Sequence, residues 1–216
     1  FTTLSNDATL SDLALSPGTH DLHFLPLVQG GYGASVPNDT TSVTVTATVA
    51  QPNATVTFFV VKGDGTRVPS ANPIALNVGP NGIVIQVKAQ DPFFFREYSV
   101  TVTRAAAVPT VTEPTSASIA ITSATLGGTV TGDGGATVST RGVVVVPSLG
   151  MLDPRLGGAG VTTFAATAGG TGGFTVDATL LTPGTAYSYA AYATNSAGTS
   201  YSATGTFTTP VTYTRE

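Results

Sequence analysis

Polar and apolar residues alternate in short runs along most of this chain. Val43, Val45, Ala47 and Val49 are separated by Thr44, Thr46 and Thr48, and Tyr98, Val100 and Val102 by Ser99, Thr101 and Thr103. Residues two apart share a face of an extended strand, so this period predicts strands with one wet and one buried face. Ile83, Ile85 and Val87 follow the same rule after Asn81-Gly82, and residues 56–61 read as a further strand ended by a Gly63-Asp64-Gly65 turn. In the second half, strands are predicted over 123–131, 142–146, 161–168, 174–180, 187–195 and 200–208, with Ala124, Leu126 and Val130 on one face. No stretch of a dozen residues carries the 3.6-residue apolar period of a helix. The expected fold class is all-β, as two tandem β-sandwiches.

Composition sharpens this reading. The chain has 216 residues, enough for two small domains, and 41% of them are hydrophobic, enough for a core. Only 9% are charged, far below the roughly 25% of ordinary domains. Ser and Thr replace the missing charges, and β-branched Thr suits a pleated, half-solvated face. The 25 Gly and 14 Pro punctuate the strands. Cysteine is absent, which excludes disulfides and thiolate metal sites. An extracellular β-protein without disulfides leans toward a bacterial or archaeal exterior. The net charge of −4 with eight dispersed basic residues offers no track for a phosphate backbone, so no nucleic-acid partner is expected. No apolar run reaches the length of a membrane span.

Two family resemblances carry the domain reading. The first rests on Leu10-x-x-Leu13-x-Leu15-Ser16-x-Gly18, Phe24, Tyr32 and the strand at 42–48. A turn at Leu76-x-Val78-Gly79-x-Asn81 and the closing Tyr98-x-Val100-x-Val102-x-Arg104 complete it. This segment resembles the bacterial cadherin-like β-sandwich repeat. It lacks the Asp-x-Asp and Asp-Arg-Glu runs that hold calcium in true cadherins, so no calcium is expected. The second rests on 124–128, 134–138, 141–144, 193–201 and 207–209, together with Leu181-Thr182-Pro183-Gly184-Thr185-Ala186-Tyr187. It resembles the fibronectin type III-like repeat of large bacterial surface proteins. The resemblance implies a structural corner at Leu181, Pro183 and Tyr187, with the Tyr hydroxyl bonded back to the backbone a few residues upstream. The small-residue stretch ending in Pro109 marks the boundary. The expected organisation is an N-terminal segment 1–9, a cadherin-like sandwich 10–105, a fibronectin type III-like sandwich 106–210 and a tail 211–216.

Chemistry-bearing groups are sparse. His20 and His23 flank Asp21 and Leu22, but strand residues three apart face opposite ways, so a solvated turn is expected rather than a metal site. The twelve carboxylates are scattered, and no Gly-x-Ser-x-Gly elbow accompanies the Ser residues. The Gly132-Asp133-Gly134-Gly135 and Gly157-Gly158-Ala159-Gly160 clusters have neither a following helix nor a Lys, and read as turns rather than phosphate loops. Lys62 and Lys88 read as solvated strand residues. Asn38-Asp39-Thr40 and Asn53-Ala54-Thr55 match the glycosylation pattern, which arises easily in a Thr-rich chain. No enzyme activity, cofactor or metal is expected.

Apolar loops stand out instead. Phe93, Phe94 and Phe95 follow an Asp91-Pro92 turn, and three successive rings do not all enter one core. Leu25, Leu27 and Val28 occupy another unusually apolar loop, and Met151 and Leu152 a third. These eight residues are the expected interface. The functional expectation is a non-enzymatic structural or adhesive unit of a bacterial extracellular surface protein or filament. It assembles with copies of itself through apolar loops and strand addition by residues 1–9 and 211–216, with a glycan or host surface as a further partner. The alternative is a spacer or carbohydrate-binding module of a secreted multidomain enzyme. Sugar platforms rest on exposed coplanar aromatics, and this chain has no Trp and seven Tyr.

Overall fold

The computed structural model describes residues 3–17, 22–148 and 153–211. It consists of strands and, among the described residues, contains no helix. The chain divides into two compact units, Phe1–Ala105 and Ala106–Glu216.

The first unit is built from β1 (Leu10–Ser16), β2 (Tyr32–Val36), β3 (Ser42–Val49), β4 (Thr55–Val61), β5 (Arg67–Ser70), β6 (Ile74–Ala75), β7 (Gly79–Lys88) and β8 (Phe95–Arg104). A three-stranded sheet of order β1-β3-β6 faces a five-stranded sheet of order β2-β8-β7-β4-β5. The alternation seen in the sequence sets which side chains meet. Val43 and Val45 of β3 bury together with Ile83, Ile85 and Val87 of β7 and Tyr98, Val100 and Val102 of β8, and the intervening Thr and Ser face water. Leu10, Leu13 and Leu15 of β1 close the core. Among the described residues only β2 pairs in parallel, running beside β8 from Tyr32 opposite Val100 to Val36 opposite Arg104. The expected turn over 76–81 is shorter than its motif, because β7 already begins at Gly79. Asn81 lies in that strand, with its carboxamide nitrogen on the carbonyls of Asn77, Gly79 and Val102. An Asn read as a turn residue thus spends its side chain on fastening the strand's start.

The second unit contains β9 (Thr110–Ala117), β10 (Ala124–Gly132), β11 (Thr140–Pro147), β12 (Thr162–Ala165), β13 (Gly172–Ala178), β14 (Ala186–Asn195), β15 (Gly198–Tyr201) and β16 (Gly205–Thr208). A sheet of order β13-β10-β9 packs on a sheet of order β12-β11-β14-β15, with β16 also paired to β14. Two strands differ from the sequence reading. β9 was hidden because Glu113-Pro114 breaks the alternation. It survives as an edge strand, with Glu113 at φ 53 and a register shift opposite Gly127 to Thr129, where a missing N–H costs no ladder bond. The run 200–208 splits in two where Ser202 turns its hydroxyl to accept the Ala191 amide at 3.0 Å.

At Gly128 the two sheets come too close for a side chain. A Cβ there would stand 2.5 Å from the Cβ of Ala191 in the facing sheet, so only Gly fits. The inner cluster gathers Leu126, Val143, Val145, Tyr187, Tyr189 and Phe207. β11 and β14 are buried on both faces, unlike strands of an ordinary sandwich. The reason is the connection from β11 to β12. Its described part runs from Asp153 to Val161, and Val161, with Tyr201 of β15, packs against Val144, Ala190 and Tyr192 on the outer face. The Leu156 amide donates to the Tyr201 hydroxyl at 3.1 Å, and the Arg155 guanidinium sits 4.3 Å above the Tyr201 ring.

Candidate functional site

The strongest concentration of exposed apolar side chains lies at one end of the first unit. Two core tyrosines shape it. Tyr98 has no solvent exposure, yet its hydroxyl accepts the Leu10 amide at 3.1 Å and donates to the Pro26 carbonyl at 2.8 Å. One phenol therefore ties the start of β1 to the loop ahead of β2. The Tyr32 hydroxyl stands 2.7 Å from the Val28 carbonyl and 2.9 Å from that of Leu25, and accepts the Leu25 amide at 3.3 Å. Phe24 packs between the two rings, at centroid distances of 5.6 and 5.7 Å. With the Val28 amide closing a turn onto the Leu25 carbonyl at 2.9 Å, the backbone of this loop is fixed and its polar groups are satisfied. Its side chains point the other way: Leu25, Leu27 and Val28 are exposed, Leu27 to 76%.

The β7–β8 hairpin forms the second part. Asp91 accepts the Phe93 amide on its side chain at 3.1 Å and the Phe94 amide on its carbonyl at 3.1 Å, an Asx-type turn that continues from Lys88 opposite Phe95. The Asp91 amide donates to the Ser5 carbonyl, and the Ser5 amide to the Gln90 side chain, so the N-terminal segment is laced to the hairpin. Phe93 is 89% exposed and Phe95 63%, with Phe94 about half exposed and Leu4 alongside the Ser5 tie. Leu10 also pairs with Val49 at the end of β3, and Thr55 with Lys88. The register thereby places the Leu25–Val28 turn and the Phe hairpin at the same end of the sandwich.

Charges of both signs surround this end: Asp7, Lys88, Asp91, Arg96 and Glu97. Asp7 is held below its ordinary carboxylate range, chiefly by the hydrogen bond from the Thr9 hydroxyl and then by the Thr9 amide. Among the described residues no group of three or more His, Cys, Asp or Glu comes together as metal ligands would. Leu22 is buried and His23 exposed, while His20 and Asp21 lie outside the described residues.

The second unit places the corner residues together. Leu181 is buried, Pro183 exposed, and the Tyr187 hydroxyl accepts the Thr182 amide at 2.8 Å, five residues upstream. Tyr187 stacks on Phe207 at 5.3 Å, and the Thr209 hydroxyl donates to the Thr182 carbonyl at 2.7 Å. Beside the corner runs a cleft of about 390 Å³ walled by Val145, Pro147, Phe164, Leu181 and Tyr187. Its polar groups are Thr hydroxyls and the engaged Tyr187, and no charged side chain lines it. Met151 and Leu152 lie outside the described residues. Sequence reasoning missed the roles of Tyr32 and Tyr98, whose hydroxyls give no signal in an alternating pattern that marks them only as inward-facing.

These units have known counterparts. Residues 7–105 match the cadherin-like beta sandwich domain family. The cadherin-like unit thus includes both tyrosines and the whole apolar end. No curated protein matches the chain in sequence. Among solved structures, the chain is similar to a two-domain fibronectin type III segment of chicken tenascin, at 16% identity, 93% coverage of this chain, 99% of that one and a TM-score of 0.44. It is also similar to titin domains A168–A170, at 14% identity, 92% and 66% coverage and a TM-score of 0.41. A third is the FN1–FN3 segment of chicken CNTN1, at 16% identity, 94% and 65% coverage and a TM-score of 0.39. The chain spans slightly less than two thirds of the length of the titin and CNTN1 segments.

Proposed function

We propose that this chain is a non-catalytic structural and adhesive unit of a bacterial extracellular surface protein or filament, joined to its surroundings by the apolar end of the cadherin-like unit. The observation that carries the reading is the combination of exposure and fixation there. The rings and aliphatic side chains face water, yet the backbone beneath them is held by two buried tyrosine hydroxyls and an Asp-capped turn. Apolar side chains on a preformed surface mark contact sites rather than fraying loops. The low charge of the chain supports the same role, since weak repulsion favours association.

Strand addition by residues 211–216 at a sheet edge is a second mode within this proposal; β5 and β12 are edge strands of four residues each. Residues 3–9 are less available for it, because Ser5 is bonded to the hairpin and Ala8 is buried in the core.

The test is a bead assay read beside a glycan array. Beads carrying the full chain should cluster with one another, and soluble chain should block the clustering. Dispersed beads, together with saturable glycan binding by soluble chain, would replace this reading with the carbohydrate module.

A further inference from the structure

We infer that the apolar end of the cadherin-like unit is the contact surface for a second copy of the same chain, which meets it with the same end across a two-fold axis. This rests on the adhesive reading above and names its partner. The area fits. The three Phe rings leave about two whole aromatic side chains in water, or ~400 Å² at the size of a buried ring. Leu25, Leu27 and Val28 add roughly half as much again. The sum, ~600 Å², reaches the upper end of the largest patch on a typical monomer. With its rim it approaches the ~800 Å² that each partner contributes to a stable interface.

The chemistry fits a copy better than a lipid surface. A two-fold contact places one residue set against itself, so a rim with both signs, Asp7, Asp91 and the Arg67–Glu97 ion pair beside Lys88 and Arg96, is self-complementary. Binding to anionic lipid calls for an excess of Lys and Arg around the inserted side chains, and this rim has none. Fixation matters too. The Leu25–Val28 turn and the hairpin are already hydrogen-bonded in the free chain, so association orders little further backbone. Phe is among the residues enriched at interface centres.

Sedimentation velocity on the full chain, from micromolar to near-millimolar concentration, tests the inference. The wild type should pass from monomer to dimer. F93S/F95S should raise the dimer Kd at least ~30-fold, which corresponds to about 2 kcal/mol. L27K, in the separate turn, should do the same without touching the hairpin. L180S, which removes a 97% exposed Leu from the other unit, should leave the Kd unchanged. The inference is overturned if the wild type stays monomeric throughout, or if F93S/F95S and L27K dimerise like the wild type. It is also overturned if monomeric wild type co-sediments with phosphatidylserine vesicles. Clustering of beads that carry F93S/F95S overturns the inference and leaves the adhesive reading standing. Wild-type beads that stay dispersed overturn that reading as well.

Discussion

Tyr98 does two jobs with one side chain. Its ring fills the centre of the first core, and its hydroxyl takes the Leu10 amide while giving its proton to the Pro26 carbonyl. Both partners are backbone groups with few other options, and an unpaired buried amide or carbonyl costs roughly 1–3 kcal/mol. Tyr98→Phe keeps the ring and removes both bonds, so we expect a loss of about 2–3 kcal/mol in urea unfolding of the full chain. The loop that carries Leu25, Leu27 and Val28 should loosen first, seen as faster amide exchange at Leu10 and Val28. A loss below about 0.5 kcal/mol would mean that water replaces the hydroxyl and that the turn is not held as described.

At the scale of elements, period-two alternation made β3, β7, β8 and β10 legible, and short runs bounded by turn residues marked β4 and β11 to β14. The edges were less so. β9 breaks its own pattern at Glu113-Pro114, and β2, β5 and β6 are too short for alternation to show. The apolar stretch after Pro147 was visible as an anomaly, but its meaning was not. Only the fold reveals that this connection brings Val161 onto Val144, Ala190 and Tyr192 on the outer face of a sheet. The exposed turn and hairpin were legible as apolar loops, whereas the tyrosine hydroxyls that fix the turn were not. Gly128 is similar, since a Gly inside a strand pattern says only that a backbone or side chain comes close. The facing Ala191 explains it. Gly128→Val forces the sheets apart opposite Ala191, and thermal melting should show a destabilisation of about 2–3 kcal/mol. Pairing it with Ala191→Gly should recover part of that loss; no recovery would locate the strain elsewhere.

Across the whole molecule, the two units draw their cores from separate stretches of chain, residues 8–102 and 111–207. The three described groups whose titration is displaced, Asp7, Asp64 and Tyr192, are all moved away from neutrality. Asp64, like Asp7, lies below its ordinary value of 3.8, held first by the Thr66 hydroxyl and then by the Thr66 amide. A carboxylate with a lowered folded pKa contributes stability that is present above the unfolded value and lost as pH falls through the folded one. Tyr192 is shifted up from 10.0, first by burial and then by the neighbouring Tyr201, so its contribution is complete below pH 10 and lost as pH rises beyond it. Melting temperatures should therefore hold level from about pH 5 to 9 and fall outside that window. The acid fall should be shallow, because Asp64 is exposed and Asp7 is only half-buried, and T9V/T66V should flatten it further. A steep drop near pH 6 would point to a titrating group other than these three.

The parallel pairing of β2 with β8 has a consequence in time. β2 is formed early in the sequence, but its only neighbour is the last strand of the unit, opposite it from Tyr32–Val100 to Val36–Arg104. Until β8 has left the ribosome, β2 has no ladder to join, and the Tyr98 hydroxyl that anchors both Leu10 and the Pro26 loop is missing too. Local closure cannot come first; a long loop must close before the core rewards it. The first unit therefore stays open through most of its own synthesis.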